Sequence, residues 1–256
     1  MTNTLTRLMV WASIILLVTT ACNNEQEPSG PIAPSTEQTS TATPTEAPAE
    51  DLVDLLARQR VEAEVTGADI QSVNIRLRPT GPVSPATPVR VEIVAGTFFS
   101  SGDSSKQNMV ATTSRTIDLA YPDWIDVTLS AACANQPRDV PDSDDQFTVK
   151  RLPEQNELAK AAKALAAADA QYPVIQAAIW IISDNANYDD LGVLIGSTEY
   201  DSTGGTRVID EADTAEALQI LDGVGIDIKK RRIWNDRNRI AQAVDDTTIK
   251  GWLNSR

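Results

Sequence analysis

The chain has 256 residues, 36 acidic against 22 basic, with a formal net charge of −14 and no histidine. That balance argues against nucleic acid as a partner and against general attraction to anionic lipid. Without histidine, a His-dependent serine or cysteine triad is excluded, and so is a zinc site built on imidazole.

The chain opens MTNTLTRLMVWASIILLVTTACNN, with Arg7, a mostly apolar run from Leu8 to Val18, and small residues up to Cys22. This is the order of an export signal, and the apolar run is too short for a dependable membrane span. Its end, TTAC, resembles a bacterial lipobox, in which the signal is cut before the cysteine and lipid is attached to the sulfur. The expectation is a signal over residues 1–22, lipid on Cys22 as the membrane contact, and an extracytoplasmic protein of a bacterial cell envelope. An uncleaved anchor is the alternative, and it too places the remainder outside the cytoplasm. With Cys22 lipidated, Cys133 is the one thiol left and no internal disulfide can form.

Residues 23–50 carry no aromatic and no basic side chain. Such a composition cannot bury enough apolar surface to offset the entropy of ordering, so a solvated tether is expected. Pro28, Pro31, Pro34, Pro44 and Pro48 should keep it extended.

Residues 51–150 open with a short helix at DLVDLLARQ and then alternate with period two. Val73, Ile75 and Leu77 share one strand face, as do Val89, Val91 and Ile93, and Ile125, Val127, Leu129 and Ala131. With RVEAEVTG and SRTIDLA, and turn signals such as RPTGPVSPATP and SSGDSS between the runs, the pattern predicts an antiparallel Ig-like β-sandwich.

Residues 151–256 change to helical period. Pro153 suits a helix start before EQNELAKAAKALAAADA, Pro173 opens a second helix, and DTAEALQILDGVGI gives a third that stops at Gly223 or Gly225. A last amphipathic segment reads IWNDRNRIAQAV. The expected architecture is therefore α+β, a sandwich followed by an α-helical cap or subdomain packed on it.

In the second helix the apolar run from Val174 to Ile182 is broken only by Gln176. A helix apolar all round is buried, and an unpaired buried amide costs roughly 1 to 3 kcal/mol. Counting from Pro173, Gln176 falls in or beside the first turn, which places its carbonyl oxygen among the free N–H groups of the helix start. Cys133 continues the inward register of Ile125, Val127, Leu129 and Ala131, so a contact between Cys133 and Gln176 is expected.

AACAN and, later, VIQAAIWIISDN resemble the paired motifs of bacterial surface thioester domains, the second being glutamine, any residue, then alanine ahead of a tryptophan-bearing apolar helix. The stretch VRVEIVAGTFFSSGDSSKQNMVATTSRTIDL is similar to strands of uncharacterised exported bacterial proteins with the same two motifs. The resemblance implies that the Cys133 sulfur attacks the Gln176 side-chain carbonyl and ammonia leaves. The internal thioester so formed is opened by nucleophiles on a target surface. The residues by themselves admit a second reading, a buried free thiol beside a hydrogen-bonded amide.

Three further features carry weaker chemistry. SDNANYDDLG brings Asp184, Asn187 and Asp189 close in sequence, as calcium requires, although Asp and Asn also cap helices and form turns. PDSDD at 141–145 is a second acidic loop, and KKRR at 229–232 is either a contact for anionic cell-wall polymer or a solvated basic patch. No pair of carboxylates is singled out for glycoside hydrolysis. Binding or adhesion to a cell-surface protein or glycan is thus expected rather than turnover. A non-covalent ligand-binding or structural lipoprotein is the second reading, and a carbohydrate-active enzyme the third.

Overall fold

The computed structural model describes residues 47–136, 138–152, 155–192 and 209–256. The expected signal, Cys22 and the tether up to residue 46 lie outside the described residues. The first elements are β1 (Glu50–Asp51) and α1 (Leu52–Ala57), the helix being started by the Asp51 carboxylate, which accepts the Val53 N–H at 2.7 Å. The strands β2 (Val61–Asp69), β3 (Ser72–Pro79), β4 (Val89–Ile93), β5 (Phe98–Ser101), β6 (Asn108–Ala111), β7 (Arg115–Leu119), β8 (Ile125–Ala134) and β9 (Gln146–Lys150) follow.

Six of these strands close into an antiparallel barrel in the order β2-β3-β8-β6-β5-β9, while β1, β4 and β7 form a separate sheet. The α+β class is as expected, but the strands anticipated as an Ig-like sandwich are arranged as a closed barrel beside a small sheet. The closing strands are the ones the pattern conceals. β5 begins with two adjacent buried phenylalanines and all of β6 is buried, so neither alternates. β9 lies in a stretch that reads as the approach to the helices, yet it pairs with β2 at one edge and β5 at the other. Closure leaves the barrel without a free edge pair of strands to guard.

After the strands come α2 (Gln155–Ala167), α3 (Tyr172–Ser183), α4 (Tyr188–Leu191), α5 (Glu211–Gly223), α6 (Arg237–Ala243) and α7 (Thr247–Ser255). α2 crosses so close to the turn after β4 that a Cβ on Gly96 would lie 2.6 Å from the Ala159 nitrogen, and Gly96 itself has φ +90°. Only glycine satisfies both conditions. α3 is the central helix, in contact with β8, α2 and α5, and its residues Ala177 to Ile181 are completely buried. α7 is not foreshadowed by the last amphipathic segment, and Trp252 on it meets Trp234 edge-on at 6.3 Å.

Candidate functional site

The site is the seam where β8 runs out of strand neighbours. On one edge β8 pairs with β3 only as far as Ser130 opposite Ser72, and the next donor on that edge, the Ala131 N–H, reaches the Gln71 carbonyl at 2.8 Å. On the other edge β6 takes over, with Met109 opposite Cys133. An antiparallel strand turns its N–H and C=O groups to alternate sides every second residue. Cys133 and Asn135 therefore present theirs along the edge that β3 has left, and α3 lies there.

Gln176 fills the gap. Its Oε1 accepts the Cys133 N–H at 3.0 Å and its Nε2 donates to the Cys133 carbonyl at 2.7 Å, so one side-chain amide replaces a whole strand residue. Oε1 also lies 2.8 Å from the Tyr172 hydroxyl, one helical turn earlier, and that hydroxyl lies 2.7 Å from the Ile70 carbonyl oxygen. Gln176 has no exposed surface. Eight residues further on, Asp184 at the C-terminal cap of α3 accepts the Asn135 N–H at 3.1 Å, with the Ser183 hydroxyl at 2.7 Å on the same oxygen.

This geometry corrects one expectation. α3 begins at Tyr172, so Gln176 stands in the second turn, and its oxygen is held by Cys133 and Tyr172 rather than by the free N–H groups of the helix start. Tyr172 and the Ile70 carbonyl were not singled out in the sequence. The usable signal was the spacing, since residues four apart on a helix share a face.

Cys133 is 2% exposed, with its sulfur 3.6 Å from the Met109 sulfur and 3.9 Å from the Ile70 carbonyl oxygen. Burial, followed by the field of the Asp69 carboxylate, pushes its pKa up to about 12. Burial likewise pushes the Tyr172 phenol up, with smaller contributions from Cys133 and Asp69. At neutral pH both groups keep their protons, and the hydroxyl remains a donor.

The other candidates do not converge. The Asp184 carboxylate is occupied at β8, the Asn187 oxygen accepts the Asp190 N–H at 2.9 Å in a capping box that starts α4, and Asp189 pairs with Arg239 at 3.2 Å. Each of the three expected calcium ligands has a partner of its own, and among the described residues no three His, Cys, Asp or Glu side chains form a cluster. In the second acidic loop the Lys106 ammonium sits where a cation would, 3.2 Å from the Val140 carbonyl, 3.4 Å from Asp142 and 3.6 Å from Asp145. Within KKRR, Lys230, Arg231 and Arg232 pair with Asp227, Glu157 and Asp190. Arg231 and Arg232 thereby tie that stretch to α2 and α4.

Comparison with family models, with curated proteins and with solved structures gives no match to this chain. The seam carries its own chemistry. It joins a buried thiol, a buried amide whose oxygen is held from two sides, and a phenol that stays protonated.

Proposed function

We propose that this is an exported surface protein, lipid-anchored through Cys22, that acts by binding or adhesion through an internal thioester between Cys133 and Gln176. The observation that carries the reading is the 3.0 Å bond from the Cys133 N–H to Gln176 Oε1. It pins the amide to the very residue that bears the sulfur. In the ring-closing step the Sγ–Cδ bond forms, the Cδ–Nε2 bond breaks, and the thiol hydrogen leaves on nitrogen as ammonia. A surface amine then attacks Cδ, the sulfur departs with a proton from that amine, and Gln176 is left joined to its target through a new amide.

A second reading has its own support. A thiol pushed up to about 12 is a poor nucleophile at neutral pH, and the amide already has partners at both ends. On that reading the seam is a splice between helix and barrel, in a lipoprotein that binds without covalent chemistry.

One experiment separates them: full-length protein extracted from membranes in detergent, denatured in alkylating reagent, digested and weighed peptide by peptide. The thioester reading expects the Cys133 and Gln176 peptides to be linked, lighter together by one ammonia, and opened by methylamine with addition at Gln176. It also expects a lipid-bearing N-terminal peptide starting at Cys22. Full-mass peptides with alkylated Cys133 would leave the splice, and an unmodified Cys22 would overturn the anchor.

A further inference from the structure

The Tyr172 hydroxyl has one hydrogen and two acceptors, the Ile70 carbonyl oxygen at 2.7 Å and Gln176 Oε1 at 2.8 Å. Both contacts cannot be donor bonds at once. In the resting amide the two oxygens are alike, both neutral carbonyls, and the hydrogen is shared between them by rotation about the C–O bond. Attack of sulfur on Cδ would change only one of the two. Oε1 becomes an oxyanion, a far stronger acceptor, while the Ile70 oxygen stays as it was.

We propose that Tyr172 is a catalytic residue of the Cys133–Gln176 acyl chemistry, its hydroxyl swinging from the Ile70 carbonyl onto Oε1 as the tetrahedral intermediate forms. The inference rests on the thioester reading above and assigns the group that makes it feasible. With the Cys133 N–H at 3.0 Å, Tyr172 completes a two-donor oxyanion hole. The two donors act differently. The backbone N–H bonds the ground-state carbonyl and the oxyanion alike, whereas the hydroxyl commits fully only when charge develops, and an interaction stronger in the transition state is one that accelerates the step. No water need be displaced, since Oε1 is buried and the donor is already in place.

The Ile70 carbonyl has a second part. It lies 3.9 Å from the Cys133 sulfur as well as 2.7 Å from the phenol oxygen, so it faces both groups whose hydrogens must move during ring closure. As the hydroxyl turns away, that carbonyl is freed to accept a hydrogen bond that orients the S–H, whose proton passes directly to the departing nitrogen. The same hole serves the reverse chemistry, because attack of an amine on the thioester raises charge on the same oxygen.

The test is cell-free synthesis of the full chain, with samples quenched over time in denaturant and alkylating reagent and Cys133 alkylation read by peptide mass. Wild type should lose its alkylatable Cys133 with time, with loss of one ammonia. Tyr172→Phe, which removes only the hydroxyl, should close about a hundredfold more slowly. Ile181→Val on the same helix, fully buried on the side turned from Gln176, should lower the melting temperature and leave the closure rate unchanged. Should Tyr172→Phe not fold, wild type made with 3-fluorotyrosine keeps the hydroxyl as a stronger donor and should close faster. Equal rates for wild type, Tyr172→Phe and the fluorinated protein would overturn the role of Tyr172 while leaving the thioester standing. A wild type that never loses ammonia would overturn both.

Discussion

The two halves of β8 are held in different ways. From Ile125 to Ser130 the strand pairs with β3 through backbone bonds, and its side chains alternate, with Val127 and Leu129 buried against Asp126, Thr128 and Ser130 in solvent. From Ala131 to Ala134 every residue is buried, and the edge beyond Ala131 is completed by the side chains of α3. A backbone ladder is redundant, because each residue supplies the same two groups whatever its side chain. A side-chain ladder is specific, since its rungs are Gln176 and Asp184 and only a side chain of matching length and polarity can serve. The first half is therefore scaffold, and the second is where substitution should register.

The sharpest way to break that contrast is Gln176→Ala. It leaves the Cys133 N–H and C=O buried without partners and opens a space in α3, and the loss should be roughly 3 to 5 kcal/mol. Thr128→Ala, which removes a bond to Asn74 on the exposed half of the same strand, should cost under about 1 kcal/mol. Denaturant melts of the two variants side by side measure the difference. Equal losses would mean that the helix is not what completes the strand.

That asymmetry also explains how much could be read in advance. The scaffold half was legible because alternation is a two-residue signal carried by the strand itself, and so were β2, β3, β4 and β7. Barrel closure was not, because it depends on β5, β6 and β9, which are four or five residues long. Burial on both sides erases the period in β6 and at the start of β5, whereas β9 alternates but lies in a stretch that reads as the approach to the helices. Gln176 and Cys133 were each conspicuous as the single polar residue in an apolar helix and the single thiol in the barrel, and register placed the cysteine inward. The partner on Oε1 was legible only as a spacing, Tyr172 standing four residues before Gln176 on the same helix face. What the sequence could not supply was the Ile70 carbonyl, which tertiary packing brings to the Tyr172 hydroxyl from 102 residues away.

The other rung can be loosened in two steps. Burial raises the Asp184 pKa and does so more than its bonds to Ser183 and Asn135 lower it, so the charged form is held at a cost. Asp184→Ala should lose about 1 to 3 kcal/mol, since the Asn135 N–H loses its acceptor. Asp184→Asn keeps an oxygen for that N–H and carries no charge. A group with a raised folded pKa loses stability as pH rises from its unfolded value, 3.8 for this carboxyl. The asparagine variant lacks that loss, so its melting temperature should gain on wild type between acid and neutral pH. A gap independent of pH would show that Asp184 is solvated in solution.

The smallest expected effect concerns the thiol, and it bears on both readings of the seam. An unfolded cysteine ionises around 9.0, whereas burial holds the folded thiol protonated up to about 12. Below 9.0 folded and unfolded chains carry the same proton and the thiol contributes no pH dependence. Above it the unfolded chain gives up a proton that the folded chain keeps, so stability falls with rising pH, by roughly 1.4 kcal/mol at one unit past 9.0. Cys133→Ala lacks this loss, while the Tyr172 phenol, raised in the same sense, pulls on both proteins. The free-thiol protein should therefore fall behind Cys133→Ala as pH rises through that window. A protein whose sulfur is acylated has no thiol proton to lose on unfolding, and in brief melts its gap to Cys133→Ala should stay level. A level gap in protein whose Cys133 is still alkylatable after denaturation would mean that the thiol is not buried as described, and the seam would then lack the dry environment that a lasting thioester requires.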